Sequence, residues 1–397
     1  MGLHHQLRAG VALLGLPKDV VGHLVMAGQC ESRHHGRRWR VPVKEEIASM
    51  AQPRRRRSSA HRRIDLALQG GGSHGAFTWG VLDALLEDGR LQFDGVSGTS
   101  AGAMNAAVLA CGWARGGADG AREALASFWH AVGGSSGCWS ASSPALPAWA
   151  FNRDQWPGFA LWESWLRLWS PAQLNPLQLD PLRDIVRAHV DVKALREGPL
   201  KLFITATSVR TGQPRVFSAA DLSIEALLAS ACLPQNARTV LIDGEGYWDG
   251  GFSGNPAIWP LIYGTAADDV LLVQINPRNH EGIPETVAEI NDRLNEITFN
   301  ASLVAELRAI EFVKKLLADE RVDPTRYKAL RLHRIADEAG LAPFDASSKL
   351  NTDPRLLQQL FTLGRAAAQR WLAEDLAAVG QHSSMDAQQL FLAPRRR

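Results

Sequence analysis

Three serines in this chain of 397 residues stand at the centre of Gly-x-Ser-x-Gly: Ser73 in Gly71–Gly75, Ser100 in Gly98–Gly102 and Ser135 in Gly133–Gly137. A serine hydroxyl can attack an acyl carbonyl when a sharp strand-to-helix turn presents it, with tiny residues two places away on either side. The pattern alone does not choose among the three, so the flanking segments must. Before Ser100 runs Phe93-Asp-Gly-Val-Ser97, which reads as a strand. After it runs Ala101-Gly-Ala-Met-Asn-Ala-Ala107, a helix of small residues. That helix points its positive N-terminal end at the serine and favours negative charge there. Ser135 lies in Gly-Gly-Ser-Ser-Gly and reads as part of a flexible loop. Ser100 is the candidate nucleophile.

Ser73 belongs to a second turn, Gln69-Gly70-Gly71-Gly72-Ser73-His74-Gly75, again between a strand and a helix. Consecutive glycines let backbone N–H groups approach a ligand closely. One reading is an oxyanion hole, with the N–H groups of Gly71 and Gly72 facing a developing oxyanion. The other is a dinucleotide loop, since Gly70-x-Gly72-x-x-Gly75 fits that fingerprint. A dinucleotide loop calls for an acid at the carboxyl end of the next strand. Asp94 lies instead at that strand's beginning, so the oxyanion reading is favoured.

A serine hydroxyl also needs a base. His280, His333 and His382 follow Ser100, but none lies in a glycine-rich turn, and each reads as a surface or satisfied core residue. Asp249 is the better candidate. It lies in Tyr247-Trp248-Asp249-Gly250-Gly251, where two glycines let the chain approach another backbone. The plainer reading is an ordinary Asp-Gly turn, of which Asp243-Gly244 is a nearby example. A carboxylate is a weak base for a hydroxyl unless burial raises its pKa.

These residues need a scaffold that brings strand ends together. Ile64–Gln69 reads as a buried strand, followed by a helix over 75–88 with Val81, Leu82, Leu85 and Leu86 on one face. The small-residue helix is expected over 101–111. Further strands are expected at 200–209, 215–217, 240–242 and 270–275, and another at 327–335. A long amphipathic helix is expected over 286–318, with Ile290, Leu294, Ile297, Val304, Leu307 and Ile310 on its apolar stripe. More helix is expected over 354–376. Strands alternating with helices predict an α/β layered fold with a mainly parallel sheet.

The flanks differ in character. Residues 1–63 carry thirteen Lys/Arg against four Asp/Glu, including the run Arg54–Arg57, in a chain of net charge +2. Such a head can meet anionic lipid or nucleic acid; a solvated, disordered extension is the favoured expectation. Met50 is a candidate start, which would make 1–49 an extension. Residues 133–170 hold Trp139, Trp149, Trp156, Trp162, Trp165 and Trp169 with several prolines, and read as an insertion. These tryptophans suit either a lipid interface or a cap packed on the core. Cys30, Cys111, Cys138 and Cys232 are scattered, with no CxxC, so neither a zinc site nor a disulfide framework is expected. No uncharged apolar run reaches 18 residues, and no signal peptide or membrane span is expected. A reducing, cytoplasmic location is expected, with peripheral contact with an anionic membrane as the alternative to a merely solvated head.

The three blocks together resemble the patatin-like phospholipases. Gly70–Gly75 matches the glycine-rich block, and Gly98-Thr-Ser100-Ala-Gly102 the nucleophile elbow. Asp249-Gly250-Gly251 matches the Asp-Gly-Gly/Ala block, with Ala229–Pro234 upstream and Asn255-Pro256 downstream. Order and spacing agree over about residues 64–262. The resemblance implies a three-layer α/β/α fold and a Ser100–Asp249 dyad without histidine. It also implies an oxyanion hole at Gly71 and Gly72, and lipid acyl esters as substrates. It requires no metal or cofactor, and nucleic acid is not an expected partner. His74 departs from it, since many relatives carry arginine there. The expected organisation is a basic extension over 1–62, a hydrolase domain over 63–380 and a flexible tail over 381–397. Within the domain, 64–262 is the motif core and 286–380 a C-terminal helical part. An acyl-thioesterase or general esterase would keep the same residues. A catalytically silent membrane-binding module would have no need of all of them.

Overall fold

The computed structural model describes residues 62–135, 180–278, 282–344 and 346–392. The basic head through residue 61, the Trp-rich stretch from 136 to 179, Cys30, Cys138 and His280 lie outside them.

In chain order the described elements begin with β1 (Arg62–Leu68), α1 (Gly75–Asp88), β2 (Leu91–Thr99) and α2 (Ala101–Gly134). Then come α3 (Pro181–His189), α4 (Val192–Glu197), β3 (Lys201–Ser208), β4 (Pro214–Ser218) and α5 (Ile224–Ser230). Next are β5 (Val240–Ile242), β6 (Glu245–Asp249), α6 (Trp259–Gly264) and β7 (Asp269–Val273). The chain closes with α7 (Val287–Ala318), β8 (Arg331–Ile335), α8 (Glu338–Leu341) and α9 (Pro354–Glu374).

The described strands form one sheet of eight. β3, β2, β1, β7 and β8 run parallel side by side, while β4, β5 and β6 pair antiparallel. Strand alternation sends successive side chains to opposite faces. Ile64, Leu66 and Leu68 of β1, with Leu271 and Val273 of β7, meet α1, α2 and α9 in the larger core. Ala67, Val270, Leu272 and Leu332 face the other way and pack on α6 and α7. The result is a three-layer α/β/α domain.

The register of β3 matters for the site. It pairs β2 through residues 201–205, β4 through 203–207 and β6 through 206–208. A strand has two edges, and the overlap with β4 places β2 and β6 on the same one. Thr99 at the end of β2 pairs Thr205, and Asp249 at the end of β6 pairs the next residue, Ala206. The C-terminal ends of β2 and β6 therefore meet head to head on that edge.

The expected elements are present, with four differences. The helix after Ser100 does not end near Cys111. It continues to Gly134 across a break at Gly116 and Gly117, whose φ values are −153° and +62°. Gly133 to Ser135 thus belong to a helix and its cap rather than to a loop. The strand expected over 327–335 is shorter, 331–335. Helix α7 opens on a capping box: the Thr286 hydroxyl accepts from the Glu289 N–H, and Glu289 reaches back to the Thr286 N–H. Its stripe is buried only in its later part, at Leu303, Leu307 and Ile310, while Ile290, Leu294 and Ile297 are exposed. Finally, residues 381–392 are not a free tail. Met385 and Ala387 are buried, and the Met385 N–H donates to Leu332 O at 3.0 Å. The added backbone pairing and apolar burial hold this segment against β8.

Candidate active site

Ser100 stands between β2 and α2 with φ +54° and ψ −122°. A non-glycine residue in that region stores about 1–3 kcal/mol of backbone strain, tolerated where the surroundings fix it. They do so here by close approach. A Cβ on Gly98 would lie 2.5 Å from Gly102 O, and one on Gly102 would lie 2.2 Å from Leu68 O. Gly70 backs onto the same turn, where a Cβ would lie 2.6 Å from both Ser100 Cβ and Thr99 O. At Gly75 it would meet Ala101 Cβ at 2.6 Å. Ser230, fully buried on α5, ties the turn to the sheet. Its hydroxyl accepts from the Ser100 N–H at 2.9 Å and donates to Thr205 O at 2.6 Å.

Asp249 ends β6 beside Ser100, as the β3 register requires. It is only 1 % exposed, and the Ser100 hydroxyl lies close enough to favour its charged form. The Gly251 N–H donates to Asp249 Oδ1 at 2.7 Å. Burial pushes the Asp249 carboxyl up to about 7, against the opposing pull of the Gly251 N–H and the Ser100 hydroxyl. The glycines after it are needed for contact: a Cβ on Gly250 would lie 2.1 Å from Thr205 O, and one on Gly251 2.9 Å from the Phe299 ring. The backbone is pinned by the Asp249 N–H, which donates to Cys232 O at 2.7 Å, and by Asp249 O, which accepts from the Thr207 hydroxyl at 2.8 Å.

The glycine turn is held by amide side chains. The Gly70 N–H donates to Asn255 Oδ1, and Gly70 O accepts from Asn276 Nδ2, both at 2.6 Å. Gln69 Oε1 accepts from the backbone N–H groups of Ile275 and Asn276, each at 3.0 Å. With Gly70 clamped on both sides, Gly72 adopts φ +57°. The N–H groups of Gly71 and Gly72 have no hydrogen-bond partner among the described residues.

Ser100, Asp249, Gly71 and Gly72 all line one cavity of about 290 Å³. Its walls are largely apolar: Met104, Phe128 and Val132 of α2, Leu182 and Ile185 of α3, and Leu233 and Phe299. Ser73 and Ser135 also line it, but the Ser135 hydroxyl donates to Val132 O at 2.7 Å within its own helix turn. No described histidine lines it. His333 is a satisfied core residue, its Nε2 at 3.0 Å from Asp269 Oδ1 and its Nδ1 at 3.0 Å from Ser384 Oγ. Asp94 accepts from the Ala266 N–H at 2.6 Å, toward the amino end of β2. A buried carboxylate on a strained serine, beside two available N–H groups, is an arrangement that can form and break an acyl ester.

Sequence reasoning missed several residues around this centre. Ser230 and Asn255 lie in the segments flanking Asp249, but nothing in one sequence assigns them bonding roles. Asn276 follows β7, where polar residues ending an apolar strand were the available signal. The α2 and α3 walls had none, because the break at Gly116-Gly117 conceals the second half of α2.

The patatin-like phospholipase family matches residues 66–262. No curated protein sequence matches the chain. Among solved structures, VipD from Legionella pneumophila is 15% identical with a TM-score of 0.36, over 84% of this chain and 73% of that one. The complex of ExoU with SpcU, from the type III secretion system of Pseudomonas aeruginosa, gives 18% identity and a TM-score of 0.28. That match covers 78% of this chain and 52% of the other, so this chain spans about half its length.

Proposed function

The chain belongs to the patatin-like phospholipase family through residues 66–262, and we propose that it is a lipid acyl hydrolase with Ser100 as nucleophile and Asp249 as base. The observation that carries this reading is the meeting of a strained Ser100 and a buried Asp249, at the adjoining ends of β2 and β6, on the wall of one largely apolar cavity.

In this reading Asp249 takes the hydroxyl proton as Ser100 Oγ attacks the acyl carbonyl. The carbonyl oxygen gains charge against the N–H groups of Gly71 and Gly72, and the N-terminus of α2 adds its dipole. Protonated Asp249 gives its proton to the departing alcohol. Water then enters, loses a proton to the same carboxylate and attacks the acyl carbon; the carboxyl returns that proton to Ser100 Oγ as the C–Oγ bond breaks and the fatty acid leaves. Histidine has no role, because burial has already raised the carboxyl into the range where it can exchange protons near neutrality. The acyl chain lies along Met104, Phe128 and Leu182. The basic head is proposed to be an extension that meets anionic surfaces and takes no part in the chemistry.

The test is ester turnover with Ser100→Ala, Asp249→Asn and Ser135→Ala. The first two should each lose on the order of 10³-fold or more in kcat/KM, with Ser135→Ala within a few-fold of the parent. Turnover that survives Ser100→Ala, or vanishes only with Ser135→Ala, removes the proposal.

A further inference from the structure

A peptide unit between two glycines rotates cheaply, since no Cβ resists either orientation. Rotating the unit between Gly70 and Gly71 would turn the Gly71 N–H out of the cavity. A trans peptide is planar, with its C=O and N–H on opposite sides. Whatever holds Gly70 O therefore also aims the Gly71 N–H. Gly70 O accepts from Asn276 Nδ2 at 2.6 Å. Asn276 is buried and does not line the cavity, whereas Gly71 does. The carbonyl is held toward the interior, which leaves the N–H facing the cavity.

Asn276 can do this only with its amide one way round. Its Nδ2 must face Gly70 O and Gln69 Oε1, at 2.6 and 3.2 Å, both of which are acceptors. Its Oδ1 must then face a donor, and that donor is Lys349 Nζ at 2.9 Å. An ammonium has donors only, so it rejects the flipped amide. Its charge strengthens the bond and polarises the amide toward giving up its own N–H. Lys349 comes from the short helical turn Ala346–Leu350, and both it and Asn276 lie outside the matched stretch 66–262. The same turn meets the glycine loop twice more. A Cβ on Gly72 would lie 2.2 Å from Lys349 O, and Ser348 Oγ lies 2.7 Å from His74 Nε2.

We propose that Lys349 and Asn276 are positioning residues. The ammonium orients the Asn276 amide, the amide clamps Gly70 O, and the clamp keeps the Gly71 N–H aimed at a reacting carbonyl oxygen. This rests on the reading of Ser100, Gly71 and Gly72 given above. Neither residue touches the reacting atoms. Their effect falls on the transition state, where the oxygen carries charge, and little on the ground state, whose neutral carbonyl draws less from the same N–H.

The test measures kcat and KM on p-nitrophenyl hexanoate in the parent, Asn276→Leu, Lys349→Met and Lys349→Arg. Affinity for a trifluoromethyl ketone of the same chain length is measured alongside, because its adduct with the nucleophile carries an oxyanion. Asn276→Leu should lose about 100-fold in kcat, the size of one oxyanion donor, with KM within a few-fold. Lys349→Met should lose about tenfold in the same way, and Lys349→Arg should keep most of the parent rate. Ketone affinity should fall in proportion to kcat. Lys349→Met should cost little more in the Asn276→Leu background, because both act through one bond. Unchanged kcat, losses confined to KM, or losses that add in the double variant overturn the proposal. A lower melting temperature with kcat and ketone affinity intact assigns the pair a structural part only and overturns it as well. Where Asn276→Leu does not fold, Lys349→Met and its rescue by arginine decide. Crystal structures of the parent and the folded variants read the Gly70–Gly71 peptide and the Asn276 amide directly, and no change in either contradicts the clamp. Turnover that persists in Ser100→Ala counts against the nucleophile instead, and the crystal comparison then decides the clamp by itself.

Discussion

Asp249 is the residue on which the proposed chemistry turns. Its carboxyl sits at about 7 because burial penalises the charged form. A base must be deprotonated to act, so kcat/KM should rise about tenfold per pH unit below 7 and level off above it. A pH profile on a soluble ester checks this; a flat profile between pH 5 and 9, or a falling limb centred near 7, contradicts it. Stability has the opposite sign. The folded value lies above the ordinary 3.8, so the contribution of Asp249 to stability is fully present below about pH 4. It is lost as pH rises through about 7. Asp249→Asn should accordingly be at least as stable as the parent at pH 8, with that advantage shrinking toward pH 5 in thermal melts. The proposed site residues stand out in the sequence because their pattern is unusual: glycines at fixed offsets around a serine, and two glycines after an aspartate. Ser230 and Asn276 were not, because serine and asparagine are common and their bonding partners are distant in sequence.

At the scale of elements, the turn at Ser100 is held tight because strand and helix nearly touch. Gly102 lies on the first turn of α2 with no room for a side chain, since a Cβ there would be 2.2 Å from Leu68 O. Gly102→Ala must push α2 away from β1 and should cost about 2 kcal/mol or more. Gly134, at the far end of the same helix, has nothing within 4 Å. Gly134→Ala should be neutral or mildly stabilising, as helix propensity and unfolded-state entropy dictate. Denaturant titration of the pair checks this, and equal costs would refute the packing argument. The strand β6 shows why legibility is uneven. Glu245–Asp249 is half-buried along most of its length and lacks an alternating apolar pattern, so period gave no sign of it. Its place follows from β3, which leaves an edge vacant beyond Thr205 once β2 ends. Likewise the apolar stripe of α7 was visible, but not that its first half, at Ile290, Leu294 and Ile297, is exposed.

The molecule as a whole is larger than its motif core. α9 crosses α1 where both carry glycine: a Cβ on Gly80 would lie 2.0 Å from Phe361 O, and one on Gly364 2.0 Å from Phe77 O. Leu356, Leu360 and Trp371 of α9 are buried in the main core. The turn bearing Lys349 backs the glycine loop from the same C-terminal region. Truncation after residue 344 should therefore expose α1 and unfold the domain, rather than leave a working core over 62–344. Loss of the thermal transition and of ester turnover checks this. A truncated chain that melts cooperatively and keeps its rate would show that the C-terminal part is dispensable. No helix among the described residues is long and apolar enough to cross a membrane. The layered fold was legible because alternating strand and helix patterns leave few arrangements. How residues 346–392 return to the site was not, since close helix crossings depend on single glycines that periodicity does not register.

The central claim is that Ser100 becomes the acyl carrier. Treatment with a fluorophosphonate, followed by peptide mass spectrometry, tests it most directly. The account predicts one adduct, on the peptide containing Ser100, absent from Ser100→Ala and slowed in Asp249→Asn. An adduct on Ser73 or Ser135, or none on protein that still hydrolyses esters, would contradict it.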